Sequence, residues 1–361
     1  MFVFDHKEFD EHERIGFFHD AETGLKAIIA IHNTNCGPAL GGCRMWDYAS
    51  EEEAVTDVLR LSRGMSYKAA ITGLPLGGGK SVIIGDARKI KTPEMMRAMG
   101  RAVQQMGGDY IIAEDVSTSV EDMEQVAKET SFVVGLPAKQ GSGSGDPSPL
   151  TAYGVFAGLK SAVKTRLDRT DLKGLTVAVQ GLGQVGYNLC RHLHEEGAKL
   201  IVTDINTETI DKAVKEFGAV SVGLDEIYDV DADVYAPCAL GATLNDDTLA
   251  RLKVSVIAGA ANNQLAESRH GDVIKDMNVL YAPDYVINAG GLINVWHEYQ
   301  ARTQGKAYDI DAVKKHIGEI AGTTGMIFKY AAQNDISTAA AADSIAEERF
   351  KADEVVEEQV A

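Results

Sequence analysis

The sequence predicts an α/β protein of two domains, one of them built on a doubly wound parallel sheet. Three observations carry this. The stretch from Leu175 to Asn206 reads as strand, glycine turn, helix and second strand. Beyond it, short apolar runs rich in β-branched residues keep alternating with helical patterns. The length, 361 residues with 45% hydrophobic content, is enough for two cores.

In chain order, residues 25–31 (LKAIIAI) form a strand. Gly37 to Gly42 follow as an irregular loop. Ser50 and Glu53 have capping-box spacing and open a helix. Its apolar positions Ala54, Val55, Val58, Leu59 and Leu61 keep helical spacing toward Met65 and Lys68. Gly77, Gly78, Gly79 and Lys80 then lead into a strand from Ser81 to Ile84. Thr92 and Pro93 are a cap and a first-turn proline. A strand from Tyr110 to Ala113 ends in Glu114 and Asp115, and Thr118 with Glu121 offers a second capping box. Residues 138–149 (AKQGSGSGDPSP) read as the crossing between domains. A helix over 151–164 enters the second domain. After Asp204, strands are expected at 233–236, 254–258 and 279–282. Ile310, Val313, Ile317 and Ile320 keep one helical stripe, and the Ala- and Glu-rich 337–361 is helical and free to fold back over the first domain. The expected domains are 1–146 for substrate and oligomerisation, 147–336 for a dinucleotide, and 337–361 as a terminal helix.

Composition narrows the function. Net charge is 35 − 53 = −18, which argues against a nucleic-acid partner and is read as solubility. Cys36, Cys43, Cys190 and Cys238 show no C-x-x-C spacing, so neither a zinc site nor a disulfide framework is expected. The N-terminus is charged too early for a secretory signal, and no apolar run approaches the ~20 residues of a membrane span. A cytoplasmic protein off the membrane is expected.

The glycine turn is the first chemical motif. Gln180, Gly181, Leu182, Gly183, Gln184, Val185 and Gly186 fit G-x-G-x-x-G, between a strand and a helix. The first glycine permits the tight turn, the second lets backbone approach a pyrophosphate, and the third brings helix and strand close. The helix start then offers N–H groups and a positive dipole end to phosphate. Asp204 ends the second strand 23 residues after Gly181. A carboxylate there accepts hydrogen bonds from a ribose 2′-OH and repels a 2′-phosphate, so NAD is favoured over NADP.

Two lysines stand apart from solvated surface charges. Lys80 follows three glycines, which leave room for backbone or ligand, and a lysine in a partly dry cleft near a second cation can serve as a base. Lys68 is the candidate second cation and can also hold a carboxylate. Asp115 sits at a strand end where catalytic groups are common, and equally fits a capping or surface aspartate. His192 and His194 are two apart and do not share a helix face; His270 and His297 are isolated, so no metal is expected. Cys238 reads as a small buried residue near the nucleotide.

The chain resembles the glutamate/leucine/phenylalanine/valine group of amino-acid dehydrogenases along nearly its whole length. The marks are GPALGGCRMW (37–46), GMSYK (64–68), LPLGGGK (74–80), AEDV (113–116), DPSP (146–149), QGLGQVG (180–186), VTDIN (202–206), APCALGA (236–242), GAANNQL (259–265) and YAPDYVINAGG (281–291). The resemblance implies reversible NAD-linked oxidative deamination. Lys68, with backbone around Gly41 and Gly42, would bind the substrate carboxylate. Lys80 would be the general base that activates water, and Asp115 would assist proton transfer. Asn262 and Asn288 match positions near the nicotinamide and the substrate amine. Leu40, Ala113, Leu292 and Val295 match pocket-lining positions, and their apolar character favours an aliphatic side chain, that of leucine, valine or isoleucine, over glutamate. Ser119 stands where some phenylalanine-selective relatives carry Asn, and Ser117 where Gly is common. The group also implies a homo-oligomer, often an octamer. The rival readings are an aromatic amino-acid dehydrogenase and a non-catalytic NAD-binding protein.

Overall fold

The computed structural model describes residues 3–137, 146–305 and 307–351. The chain forms two compact units: Met1–Gly145 with Val295–Tyr308 and Ala346–Ala361, and Asp146–Asn294 with Asp309–Ile345.

The first unit contains β1 (Arg14–Asp20), β2 (Leu25–Asn33), β3 (Ala39–Trp46), α1 (Glu51–Ile71), β4 (Gly77–Ile84), α2 (Ala87–Ile90), α3 (Pro93–Gln105), β5 (Tyr110–Glu114) and α4 (Val120–Val126). Its sheet runs β1-β2-β4-β3-β5. β1 and β2 are antiparallel, as are β2 and β4, whereas β3 is parallel to both β4 and β5. Side-chain alternation splits the core in two. Ile29, Met45, Ile83, Tyr110 and Ile112 face a cluster with Met95, Met99 and Met123 of α3 and α4. Ile28, Ala30 and Val82 face the other way, onto Ala54, Val55, Val58 and Leu59 of α1.

Two expected loops are strands. Residues 39–42, expected in an irregular loop, form the first half of β3, which is hydrogen-bonded on both sides. Gly77 to Gly79, expected as a lead-in, are already within β4. Glycine signals a turn locally, but here it serves close packing. A Cβ on Gly78 would lie 2.1 Å from the Ser66 nitrogen, and one on Gly41 would lie 1.7 Å from the Gly79 oxygen. Backbone from α1 and β4 occupies the space a side chain would need.

The caps are nearly as expected. Ser50 accepts from the Glu53 N–H, while the Glu53 carboxylate takes the Ala49 N–H rather than that of Ser50. The second capping box lies one residue later than Thr118 and Glu121: Ser119 accepts from Asp122 N–H and the Asp122 carboxylate accepts from Ser119 N–H. Thr118 is engaged elsewhere, donating to the Cys43 carbonyl at 2.8 Å and accepting from Asp115 N–H at 2.9 Å. Of the expected crossing at 138–149, residues 138–145 lie outside the described residues.

The second unit begins with α5 (Ser148–Leu167), then β6 (Thr176–Gln180), α6 (Gln184–Glu195), β7 (Lys199–Thr203), α7 (Thr207–Phe217), β8 (Val220–Ser221), β9 (Val234–Pro237), α8 (Asp246–Leu249), β10 (Val256–Ile257), α9 (His270–Asp276), β11 (Leu280–Tyr281) and α10 (Asp284–Ile287). Four more helices follow among the described residues: α11 (Gly290–Gln304), α12 (Ile310–Gly318), α13 (Ile320–Asn334) and α14 (Thr338–Phe350). The six strands are all parallel, in the order β11-β10-β9-β6-β7-β8. Numbered from β6 this is 3-2-1-4-5-6 reversed, the doubly wound order whose switch point lies between β6 and β9. The stripe from Ile310 to Ile320 is divided: Glu319 N–H bonds back to His316, tightening the turn between α12 and α13. The end of α14 belongs to the first unit, where Arg349 donates to the Ala70 and Ile71 carbonyls at 2.8 and 2.9 Å. No helix among the described residues is long and apolar enough to cross a membrane.

Candidate active site

In the first unit the period of two along each strand puts Leu40, Gly42, Lys80 and Ala113 on one sheet face and Gly41 on the other. Leu40 and Gly42 of β3 pair with Ile111 and Ala113 of β5, and Lys80 lies on β4 on the same side as Val82. That face is the one α1 covers. Lys68 sits about three helical turns from Asp57 on α1, so the two share one side of the helix. Lys80 is buried, and its Nζ lies 2.7 Å from Asp115 Oδ2. Glycine makes the approach possible, since a Cβ on Gly42 would stand 2.7 Å from the Asp115 Cβ and 3.2 Å from Lys80 Nζ. Beneath it, Tyr110 donates to the Gly41 carbonyl at 2.8 Å and fixes that stretch of β3 from the other side.

Burial pushes the Asp115 carboxyl up, but the Lys80 and Arg44 charges outweigh it and hold the group below its ordinary value. Asp115 is therefore a carboxylate at neutral pH, bonded to a nearly dry amine. Such a pair can orient a water and move a proton. Leu40 is buried, whereas Ala113 and Lys68 are half-buried.

Arg44 is a site residue that the sequence reading missed. Its Nε lies 3.3 Å from Asp115 Oδ2, and its Nη1 reaches both oxygens of Asp57, to which Tyr48 also donates. Once 39–46 is treated as a strand, Arg44 falls two residues beyond Gly42, on the same face. The loop reading hid that signal.

The second unit holds the glycine turn at the carboxyl end of β6. Gly181 has φ +99°, reserved for glycine, and a Cβ on Gly186 would lie 2.0 Å from the Gly181 carbonyl oxygen. Gly183 caps α6 with no side-chain hydrogen bond, leaving its first N–H groups for an external acceptor. Gly183 and Gln184 are exposed, Val185 is half-buried and Leu182 is buried. Asp204 accepts from Leu182 N–H at 2.5 Å and from Asn206 N–H at 2.7 Å, so it also braces the turn. The Gln180 side chain is held by Tyr228 and Tyr235. Asn288 donates to Asn262 Oδ1 at 2.9 Å and to the Ala260 carbonyl at 3.1 Å, while its buried Oδ1 has no protein partner. An amide acceptor left open in this way fits an N–H donor from a ligand. The phosphate cradle and this acceptor together fit a nicotinamide dinucleotide. Leu292 is buried in α11, with Val295 one turn further, half-buried. Among the described residues no group of three or more His, Cys, Asp or Glu is arranged to hold a metal ion.

These features define a protein of two units, one with a dinucleotide-binding fold and one with a buried lysine–aspartate pair. The family model described as the Glu/Leu/Phe/Val dehydrogenase dimerisation domain matches residues 12–132, and the Glutamate/Leucine/Phenylalanine/Valine dehydrogenase model matches 142–212 and 203–355. The chain belongs to this family. Within it, the leucine dehydrogenase of Bacillus subtilis is 54% identical over 97% of this chain and 94% of its own. The phenylalanine dehydrogenase of Caldalkalibacillus thermarum is 50% identical over 95% of this chain and 92% of its own. The structure of L-tryptophan dehydrogenase from Nostoc punctiforme superposes with a TM-score of 0.83 at 44% identity, covering 94% of this chain and 96% of that one.

Proposed function

We propose that the protein catalyses the reversible NAD-linked oxidative deamination of a branched-chain L-amino acid, leucine and also valine and isoleucine. The products are the 2-oxo acid, ammonia and NADH, with one water consumed. The observation that carries this reading is the buried Lys80 amine 2.7 Å from the Asp115 carboxylate, packed against Gly42, where a Cβ would stand 3.2 Å from the amine.

Lys68 and the backbone at Gly41 and Gly42 hold the substrate carboxylate. Leu40 and Ala113 line the place of the side chain, Leu292 and Val295 match pocket-lining positions by the resemblance, and the lack of a cation among them disfavours a second carboxylate. Gly181 to Gly186 cradle the pyrophosphate, with Gln180 behind the turn. Asp204 takes the ribose hydroxyls and makes NAD the preferred dinucleotide. The nicotinamide, when bound, supplies the acceptor for hydride from the substrate Cα. Asn288 and Asn262 orient the amide and amine at that point. Lys80 takes a proton from the water that adds to the resulting imine, and Asp115 holds Lys80 in line and passes the proton on. The second unit serves the dinucleotide and the first serves substrate and self-association. The assembly is a homo-oligomer, an octamer by analogy with the family, in a reducing cytoplasm suited to four unpaired cysteines.

An NADH-absorbance assay over a panel of L-amino acids tests this. Turnover is expected on leucine, valine and isoleucine above phenylalanine and tryptophan, and a clear preference for phenylalanine would replace the substrate assignment. Lys80→Ala is expected to lower kcat by about two to four orders of magnitude. Undiminished turnover in that variant would remove the base assignment.

A further inference from the structure

Two cations converge on a single oxygen. Lys80 Nζ and Arg44 Nε lie 2.7 and 3.3 Å from Asp115 Oδ2. Arg44 is in turn gripped by Asp57, whose two oxygens lie 3.3 and 3.0 Å from Nη1, and Tyr48 donates to Asp57 Oδ2 at 2.6 Å. An arginine needed only to tie β3 to α1 would be served by Asp57 alone. Its second arm instead competes with Lys80 for the same carboxylate oxygen.

We propose that Arg44, braced by Asp57 and Tyr48, is a positioning residue that aims Asp115 at Lys80 and sets the acidic limb of the pH–rate profile. The inference rests on Lys80 acting as the base. A guanidinium does not deprotonate in a protein, so its charge is permanent. Sharing one oxygen, it weakens the hold of Asp115 on the ammonium form of Lys80, and its own charge repels that form. Both effects favour the neutral amine that the reaction uses. Asp57 works in the opposite sense, because it draws Arg44 away and adds negative charge to the cluster. The titratable and charged groups that act on Asp115 are Lys80 of β4, Cys43 and Arg44 of β3, Tyr110 of β5 and Tyr48 before α1, and Asp57 of α1 reaches it through Arg44 and Tyr48. Of these, Arg44 and Asp57 are joined to Asp115 by a hydrogen-bonded chain and have no proposed part in the proton transfer.

The test is the pH dependence of kcat/KM for L-leucine with NAD in the intact enzyme. Arg44→Met is expected to move the acidic limb up by about one pH unit. Asp57→Asn is expected to move it down. A residue that only supports the fold would change rate or stability and leave the limb in place, so opposite displacements support the proposal. Limbs coincident with wild type in both variants overturn it. If Arg44→Met does not fold, the direction of the Asp57→Asn limb decides alone. Lys80→Ala separates this from the reading beneath it: wild-type turnover there removes the base, and the Arg44 proposal falls with it. A collapse of turnover in Lys80→Ala with unmoved limbs in the other two removes the Arg44 proposal only.

Discussion

Ser117 is the plainest case of a residue set against its backbone. It follows the Asp115 loop with φ +63°, where side chains are strained by roughly 1–2 kcal/mol, and its carbonyl accepts from Lys91 Nζ. Glycine would relieve that strain and lose about 0.5–1 kcal/mol through the freedom of the unfolded chain. Ser117→Gly is therefore expected to raise stability by about 0.5–1 kcal/mol, measured as a higher urea midpoint with an unchanged slope. A lower midpoint would mean that the hydroxyl contributes more than the strain costs. The same scale explains Arg44. A charged residue in a strand carries no sequence signal of its own; its meaning comes from Gly42 two positions before it and from Asp115 on the next strand.

At the scale of elements, glycine separated reading from structure. Gly37 to Gly42 and Gly77 to Gly79 have the local signature of loops, yet 39–42 and 77–79 lie in adjacent central strands. Local chemistry states that glycine permits a turn; it does not state that a helix backbone will press on a strand. Gly78→Ala would place a Cβ 2.1 Å from the Ser66 nitrogen in the C-terminal third of α1. Because α1 carries Asp57 and Lys68, lifting it should cost activity and stability together. We expect a loss of about 3 kcal/mol or more by urea unfolding. A variant as stable as wild type would show that the helix can yield without strain. Elements whose signals are local fared better: Thr92 with Pro93 opened α3, and the glycine fingerprint opened α6.

At the scale of the whole molecule, acid sensitivity should collect at one buried pair. His32 is 4% exposed, bonded to Ser66 at 2.8 Å, set edge-on to His12 and packed against Phe350 at the end of α14. Burial, then repulsion from His12, lowers its pKa from 6.5 to about 4, with Asp10 opposing and Arg63 adding to the fall. Between those values the unfolded chain takes up a proton that the folded chain refuses. Stability from this group is thus present above pH 6.5 and lost as pH falls toward about 4. His32→Gln should make the decline of thermal midpoint with acid shallower than in wild type, and parallel curves would exclude His32 as the source. The sequence by itself determined the α/β class, the dinucleotide fingerprint with its terminal Asp204, and the residue types at the candidate site, because these depend on spacing along the chain. Only the tertiary structure decided that the glycine runs are strands, that Arg44 shares an oxygen with Lys80, and that Phe350 covers His32. Each of these joins segments distant in sequence, and contact between distant segments is set by packing, which no local pattern encodes.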